Sequence, residues 1–188
     1  MKDIEIENKR ELKDREKLLE KLRENGFCEE YETREIDTYF SRPDVDFMKT
    51  VECLRIREKP EFCELTYKPA TSAKTAHDGA ILKHETNVRI ARAEIPRLKE
   101  LLANLEMREL CVVDKTRVAF ANPKFANLTV AIDRLAGVGD FVETEMISRN
   151  ETTALKTLAK IEKLLEIAKF PAVKLPYRDL TMRATAKN

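Results

Sequence analysis

Ionisable side chains of like sign recur two residues apart in several short segments of the sequence. The acidic pairs are Glu5 with Glu7 and Glu143 with Glu145, and the basic pairs are Arg55 with Arg57 and Lys115 with Arg117. Residues two apart on a β-strand share one face, where like charges repel. Each pair is better explained if it binds a group of opposite sign: arginine and lysine suit phosphate oxygens, and paired carboxylates suit Mg²⁺ or Mn²⁺. The pattern predicts a polyphosphate–metal site, and a solvated sheet face stays the open alternative.

Hydrophobic periodicity places these pairs on strands. Eight strands are predicted over residues 4–9, 33–40, 52–58, 61–68, 81–90, 109–120, 128–135 and 140–148. Three helices are predicted over residues 11–25, 94–105 and 151–169. The stretch around Pro43 and residues 69–79 are predicted as loops, and Pro171 and Pro176 predict a non-helical tail. This content is typical of an α+β protein built on one large curved or closed antiparallel sheet.

Composition and charge limit the class of protein. The chain has 188 residues, of which 43% are hydrophobic and 37% are charged, and its net charge is +1. The length suits a single domain, and the near-neutral charge argues against a nucleic-acid binder. No apolar run approaches the ~18 residues of a membrane span. The four cysteines and two histidines show no zinc-binding spacing. We therefore expect a cytoplasmic protein without nucleic-acid or membrane partners.

The charged pairs belong to a series of short motifs along the chain. In order, these motifs are Glu5-Ile6-Glu7-Asn8-Lys9, Asp37-Thr38-Tyr39-Phe40, Leu54-Arg55-Ile56-Arg57-Glu58, Leu65-Thr66-Tyr67-Lys68-Pro69, Lys83-His84-Glu85, Lys115-Thr116-Arg117, and Ile132-Asp133 followed by Gly137 to Glu143. The series resembles the motifs of the CYTH superfamily, also called triphosphate tunnel metalloenzymes. Asp37 to Phe40 and the late Tyr177-Arg178-Asp179-Leu180 make it most similar to the class IV adenylyl cyclase branch. Arg10 departs from the pattern, because a phenylalanine is common there.

The resemblance implies a fold, a metal and a set of site residues. The implied fold is an eight-stranded antiparallel closed β-barrel, a tunnel with a charged interior, flanked by helices. The implied single domain spans 1–188, with the tunnel barrel in 1–148 and the C-terminal helix and tail in 149–188. The implied ligands of Mg²⁺ or Mn²⁺ are Glu5, Glu7, Glu143 and Glu145. The implied triphosphate-binding residues are Arg55, Arg57, Lys68, Lys83, Lys115 and Arg117, and the implied catalytic residues are Lys9, Glu7 and Asp133.

Two reactions are compatible with such a site, and the expected ligand is ATP or another triphosphate. The first is an adenylyl cyclase reaction that converts ATP to 3′,5′-cyclic AMP and pyrophosphate. The second is hydrolysis of inorganic triphosphate, a nucleoside triphosphate or thiamine triphosphate. The two differ in whether the α- or the γ-phosphorus lies at the metal, which the sequence does not reveal. A non-catalytic polyphosphate or nucleotide sensor is the third hypothesis, and a homodimer is an admissible assembly.

Overall fold

The computed structural model describes residues 4–70, 76–77, 80–81 and 85–186. Strands β1 to β10 span Ile4–Glu11, Cys28–Ser41, Cys53–Glu58, Cys63–Lys68, Ala76–His77, Ala80–Ile81, Thr86–Ile90, Arg108–Ala121, Leu128–Leu135 and Gly139–Ser148. Helices α1 to α5 span Arg15–Glu24, Phe47–Thr50, Ile95–Asn104, Glu151–Leu164 and Tyr177–Thr185. One 3₁₀ turn, Arg92–Glu94, precedes α3. No helix in these ranges is long and apolar enough to cross a membrane.

Eight of the strands form one sheet in the order β1-β10-β9-β8-β2-β3-β4-β7, and β5 and β6 pair separately. In the described part of the chain, six strand pairs of this sheet are antiparallel, as the sequence predicts: β1–β10, β10–β9, β9–β8, β2–β3, β3–β4 and β4–β7. By compactness the chain divides into one unit of Met1–Thr33 with Lys115–Leu175 and another of Arg34–Asp114 with Pro176–Asn188. They are called the first and second unit below. Strands β2 and β8 run through both.

In the first unit, α1 and α4 cover one face of β8, β9 and β10. The buried side chains of this core include Leu18, Leu22, Val130, Leu158 and Ile161. Helix α1 begins where the Asp14 side chain accepts a hydrogen bond from the Lys17 backbone N–H at 3.0 Å. It ends before Gly26, whose φ of 77° is the left-handed conformation expected of a glycine after a helix.

In the second unit, α3 covers one face of the strands. Phe40, Ile56, Cys63, Ile95 and Leu102 form its buried core. Because side chains alternate along a strand, burying Ile56 directs its neighbours Arg55 and Arg57 to the other face. The predicted alternation of an apolar face and a charged face is therefore present in β3.

The edge of β1 that does not pair with β10 is covered by the segment that follows α4. The Glu11 N–H donates to the Pro171 carbonyl at 3.0 Å, and the Val173 N–H donates to the Lys9 carbonyl at 2.9 Å. Among the described residues, hydrogen bonds do not close the sheet, because its order ends at β1 and at β7. The eight-stranded antiparallel sheet is confirmed, and the closed barrel stays a prediction.

Three local expectations were wrong. The tail is not wholly non-helical, because Tyr177–Thr185 forms α5 directly after Pro176, whose φ of −58° is compatible with a helix start. The stretch after Pro43 contains a short helix, α2, capped by the Asp46 side chain. The predicted loop 69–79 contributes Ala76–His77 to a small two-stranded pairing. The middle of the predicted strand 81–90, residues 82–84, lies outside the described residues.

Candidate functional site

Each unit presents a charged sheet face, and in the first unit the strand register fixes its composition. The directly opposed pairs are Glu7 with Glu145 and Lys9 with Glu143 between β1 and β10, and Asp133 with Arg117 between β9 and β8. Phe141 opposes Asp133 on β10, so the register links the three pairs across four neighbouring strands. Opposed residues in an antiparallel pair project from the same face. Apart from Glu5, whose side chain lies outside the described part, the predicted site residues of this unit therefore share one face, opposite the helices.

Ion pairs join most of these side chains into what we call the Asp133 network: Lys9, Lys115, Arg117, Asp133 and Glu143. Arg117 donates from Nε and Nη2 to the two Asp133 oxygens at 2.7 and 2.5 Å, and it also contacts Glu143. The Lys9 Nζ lies 3.3 Å from Glu143 Oε1, and the Lys115 Nζ lies 3.9 Å from Asp133 Oδ2. Within these five side chains, three cations surround two buried carboxylates, and the carboxylates of Glu7 and Glu145 lie on the same face.

Burial raises the pKa of Glu143 above its usual range, because an apolar surrounding disfavours the charged carboxylate. The positive charges of Arg117 and Lys9 act in the opposite direction, and the negative charges of Asp133 and Glu7 reinforce the rise. The ionisation of Glu143 therefore depends on the cations and carboxylates that share its face.

The predicted metal ligands are only partly assembled. Glu7 is exposed and stands directly opposite Glu145, while Glu143 is engaged with Arg117 and Lys9. Glu5 supplies backbone to β1, but its side chain lies outside the described part. Carboxylate oxygens are the donors that Mg²⁺ and Mn²⁺ prefer. Within the described residues, however, no three His, Cys, Asp or Glu side chains are grouped closely enough to hold a metal. The donor chemistry fits a divalent cation, and the described ligand set is incomplete.

In the second unit, the register aligns two rows of polar residues across four strands. The first row is Asp37, Arg57, Glu64 and Arg89, and the second is Tyr39, Arg55, Thr66 and Asn87, on β2, β3, β4 and β7 respectively. Cys53 opposes Lys68 one step further along. The predicted phosphate-binding residues Arg55, Arg57 and Lys68 therefore lie on one face of this unit.

These rows contain a second ion-pair cluster, the Asp37 network: Glu35, Asp37, Arg55, Arg57 and Lys59. Arg57 donates from Nε and Nη2 to the two Asp37 oxygens at 2.7 and 2.6 Å, and its Nη2 lies 3.3 Å from Glu35. The Lys59 Nζ lies 2.5 Å from Glu35, and Arg55 Nη1 lies 3.3 Å from Asp37. The side chains of Glu35 and Asp37 are almost fully buried, at 1% and 3% exposure, so their charges depend on these partners.

Arg55 is the most unusual cation of the Asp37 network. Burial has the largest single effect and acts to lower its pKa, but Asp37, Tyr39 and Cys53 together outweigh burial, so the net shift of the pKa is upward. Its Nε is buried and has no hydrogen-bond partner among the described residues. Buried N–H donors are rarely left unpaired, so this one indicates an acceptor beyond the described residues.

Lys68 lies at the edge of this face and is held by a carboxylate. Its Nζ is 3.0 Å from Glu85 Oε2, and Arg55 Nη2 is 3.7 Å from Glu85 Oε1. Partial burial acts to raise the pKa of Glu85, but Lys68 and Arg55 outweigh it and the pKa is lowered. Lys83, the remaining predicted phosphate-binding residue, lies outside the described residues.

Each network, taken by itself, contains three cations, one aspartate and one glutamate. In each, an arginine makes a two-pronged contact with the aspartate directly opposite on the next strand. In each, a second carboxylate contacts that arginine and is itself paired with a lysine: Glu143 with Lys9, and Glu35 with Lys59. A further cation, Lys115 or Arg55, adjoins the aspartate. Each network can therefore present an oriented guanidinium to an anion.

Three members of the Asp37 network are absent from the predicted site residues: Asp37, which belongs to one of the motifs but has no predicted role, and Glu35 and Lys59. Glu35 lies two residues before Asp37, and Lys59 lies two residues after Arg57. The two-residue alternation that identified Arg55 and Arg57 would have reached both if it had been extended by one step in each direction.

The chain is similar to one protein family and to several known proteins. The CYTH domain family matches residues 3–175. A Methanocaldococcus jannaschii protein named "Putative adenylate cyclase" is 29% identical over 180 residues, which cover 94% of this chain and 98% of that protein. A solved protein from Pyrococcus horikoshii is 27% identical with a TM-score of 0.75, over 96% of this chain and 99% of that one. A Hippeastrum protein described as a "putative adenylyl cyclase" with a dominant triphosphatase activity has a TM-score of 0.68 over 97% and 96% of the two chains, and at 16% identity it shows the fold alone.

Proposed function

Because the chain belongs to the CYTH domain family, we propose that it is a cytoplasmic, metal-dependent enzyme that converts ATP to 3′,5′-cyclic AMP and pyrophosphate. The observation that carries the proposal is the network found in each unit, in which a buried aspartate contacts both Nε and Nη2 of an arginine that has further cations beside it. The name of the Methanocaldococcus jannaschii relative, which matches this chain over 94% of its length, supports the cyclase reaction.

The cations of both networks are suited to phosphate because their geometry is already set. Arg57 and Arg117 are each held in one plane by both oxygens of an aspartate, so they meet an anion without a further loss of side-chain freedom. The contacts of these arginines with Glu35 and Glu143 can be exchanged for contacts with phosphate oxygens. Arg55 can also donate from its Nε, which has no hydrogen-bond partner among the described residues.

In the proposed reaction, the ribose 3′-oxygen attacks the α-phosphorus, the bond from this phosphorus to the β-phosphate oxygen breaks, and the hydroxyl proton leaves to solvent. Arg55, Arg57, Lys68, Lys83, Lys115 and Arg117 bind phosphate oxygens and neutralise the charge that develops on pyrophosphate. Asp133 positions Arg117, and Lys9 donates from Nζ to the developing charge. A divalent cation on Glu5, Glu7, Glu143 and Glu145 would lower the pKa of the attacking hydroxyl and screen the phosphates.

Hydrolysis of a triphosphate is the second candidate function. The proposed contacts with phosphate oxygens would serve a water nucleophile at the γ-phosphorus as well as a ribose hydroxyl at the α-phosphorus. The dominant triphosphatase activity named for the Hippeastrum protein, which shares the fold, motivates this candidate.

Product analysis tests the proposal directly. Pure protein is incubated with ATP and either Mg²⁺ or Mn²⁺, and the products are resolved by chromatography. We expect cyclic AMP and pyrophosphate in equal amounts. ADP with phosphate would instead establish the triphosphatase, and binding of ATP without metal-dependent turnover would favour the sensor over both enzymes. Glu7→Gln serves as the inactive control, because it removes a proposed metal ligand.

A further inference from the structure

An aromatic side chain and a guanidinium stack on each other at the end of the charged face in the second unit. The guanidinium carbon of Arg89 lies 3.6 Å from the centroid of the Phe62 ring, and the Lys59 Nζ lies 5.5 Å from the same centroid. The Arg89 side chain is 67% exposed, whereas Phe62 is half-buried. We call this pair the Phe62–Arg89 stack.

The stack adjoins the Asp37 network. Arg89 is in the same cross-strand row as Arg57, with only Glu64 between them, so the two residues are separated by roughly 10 Å, two strand spacings. Lys59 links the two features, since its Nζ contacts both Glu35 and the Phe62 ring. A ligand held by Arg57 can therefore extend along the row to the stack.

The chemistry of the stack differs from that of the phosphate-binding residues. Arg89 has one weak carboxylate contact, at 3.6 Å to Glu64, and it is not held in a two-pronged pair as Arg57 is. Its guanidinium instead lies on an aromatic ring and is largely exposed to solvent. Flat aromatic rings and guanidinium planes are surfaces on which nucleobases stack.

We propose that the Phe62–Arg89 stack is a platform for the base of a nucleoside triphosphate whose phosphates are bound by the Asp37 network. The inference rests on the proposed function, because the phosphates must occupy Arg57 for the base to reach the stack. The platform makes the nucleotide, rather than inorganic triphosphate, the preferred ligand. Since stacking depends on a flat ring and not on a specific pattern of hydrogen bonds, the platform accepts ATP and GTP alike.

Binding measurements with conservative variants test the platform. Arg89→Lys keeps the charge and removes the plane, and Phe62→Leu keeps apolar volume and removes the ring. Dissociation constants for ATP, GTP and inorganic triphosphate are measured by calorimetry without added metal, so that turnover does not intervene. We expect each variant to weaken ATP and GTP about tenfold and to leave inorganic triphosphate within about twofold of wild type. Arg97→Lys, on the exposed surface of α3, is the matched control and should change none of them.

Equal weakening of ATP and inorganic triphosphate in these variants, or no weakening of either, would overturn the platform. The same result follows if wild type binds ATP no more tightly than inorganic triphosphate. Arg57→Lys, in contrast, should weaken all three ligands, because it disrupts phosphate binding. If the variants behave as expected but wild type yields no metal-dependent products, the enzymatic proposal fails and the platform stands. If wild type is active and the variants bind ATP normally, only the platform fails.

Discussion

At the scale of single residues, the aspartates of the two networks stand out because they are buried and point both oxygens at an arginine. A buried carboxylate is costly unless its charge is compensated, and Asp133 is compensated by Arg117 and Lys115. We therefore propose a positioning role, in which Asp133 sets the plane of Arg117 and Arg117 binds the phosphate.

Replacing this aspartate should destabilise the protein and the binding site together. Asp133→Asn leaves Arg117 and Lys115 without their shared countercharge, so we expect the free energy of unfolding to fall by about 3 kcal/mol. Saturating inorganic triphosphate should recover part of this loss by supplying negative charge. Urea titrations with and without triphosphate measure both effects. The matched control is Asp140→Asn, whose pair with Arg134 is exposed and should contribute less than about 1 kcal/mol. A loss for Asp133→Asn no larger than that of the control would refute the positioning role.

For Glu7 we predict a loss of turnover without a loss of stability, because its side chain is exposed and is proposed to bind metal. Glu7→Gln should leave the melting temperature unchanged and reduce turnover more than about tenfold, which corresponds to ~1.4 kcal/mol of barrier. Glu20→Gln on α1 is the control for loss of an exposed carboxylate. Steady-state rates across a range of Mn²⁺ concentrations provide the measurement. Retention of near-wild-type activity by Glu7→Gln at every metal concentration would remove this residue from the ligand set.

The residue types and their spacing were enough to predict which face carries the charges. Arg55, Arg57, Lys115 and Arg117 all lie on the expected side, because strand alternation is a local property. Their partners were not predictable, because the pairing of Asp37 with Arg57 depends on strand register, and register depends on distant turns. The unpaired Nε of Arg55 likewise appears only when the packed structure is known.

At the scale of elements, the contacts of Arg10 give a structural reason for its departure from the family pattern, in which phenylalanine is common at this position. It projects from β1 to the opposite side from Lys9 and pairs with the buried Glu162 of α4 at 2.7 Å. It also donates to the carbonyls of Ala168 and Phe170, just beyond α4, at 3.1 and 2.8 Å. The other Glu162 oxygen accepts from Thr144 of β10 at 3.2 Å. This contact ties α4 to the two strands that carry Lys9 and Glu143.

A double-mutant cycle measures the coupling energy between Arg10 and Glu162. Arg10→Met leaves Glu162 buried without its cation, so we expect a loss of about 3 kcal/mol of unfolding free energy. Arg10→Met combined with Glu162→Leu should cost less than the sum of the two single changes, with a coupling of about 2 kcal/mol. The exposed Lys17–Glu166 pair is the control cycle and should couple by less than about 1 kcal/mol. Additive effects at Arg10 and Glu162 would contradict the tie.

The C-terminal tail shows why some elements escape prediction from sequence. Pro176 was expected to interrupt structure, yet it starts α5, because a proline disfavours the inside of a helix and not its beginning. The helix is fixed by tertiary contacts: Arg178 is buried and donates from Nη1 to the Glu52 carbonyl at 2.9 Å. A contact between residues so distant in sequence leaves no local periodic signal.

At the scale of the whole molecule, a net charge of +1 conceals an uneven distribution. The cations of each network are concentrated on one face, where buried carboxylates lie between them. A polyanion that binds there relieves the repulsion among the cations and favours the folded state by mass action. Ligand binding should therefore be visible as global stabilisation even where no turnover occurs.

The melting temperature with and without inorganic triphosphate tests the central claim most directly, because that claim is a binding site for triphosphate. At about one hundred times its dissociation constant, triphosphate should raise the melting temperature by roughly 5–10 °C, and adenosine, which has no phosphate, should raise it much less. Arg117→Ala should reduce the triphosphate shift, whereas Lys156→Ala, an exposed change on α4, should preserve it. No shift in wild type, or an undiminished shift in Arg117→Ala, would contradict the triphosphate site and favour an ordinary solvated sheet face.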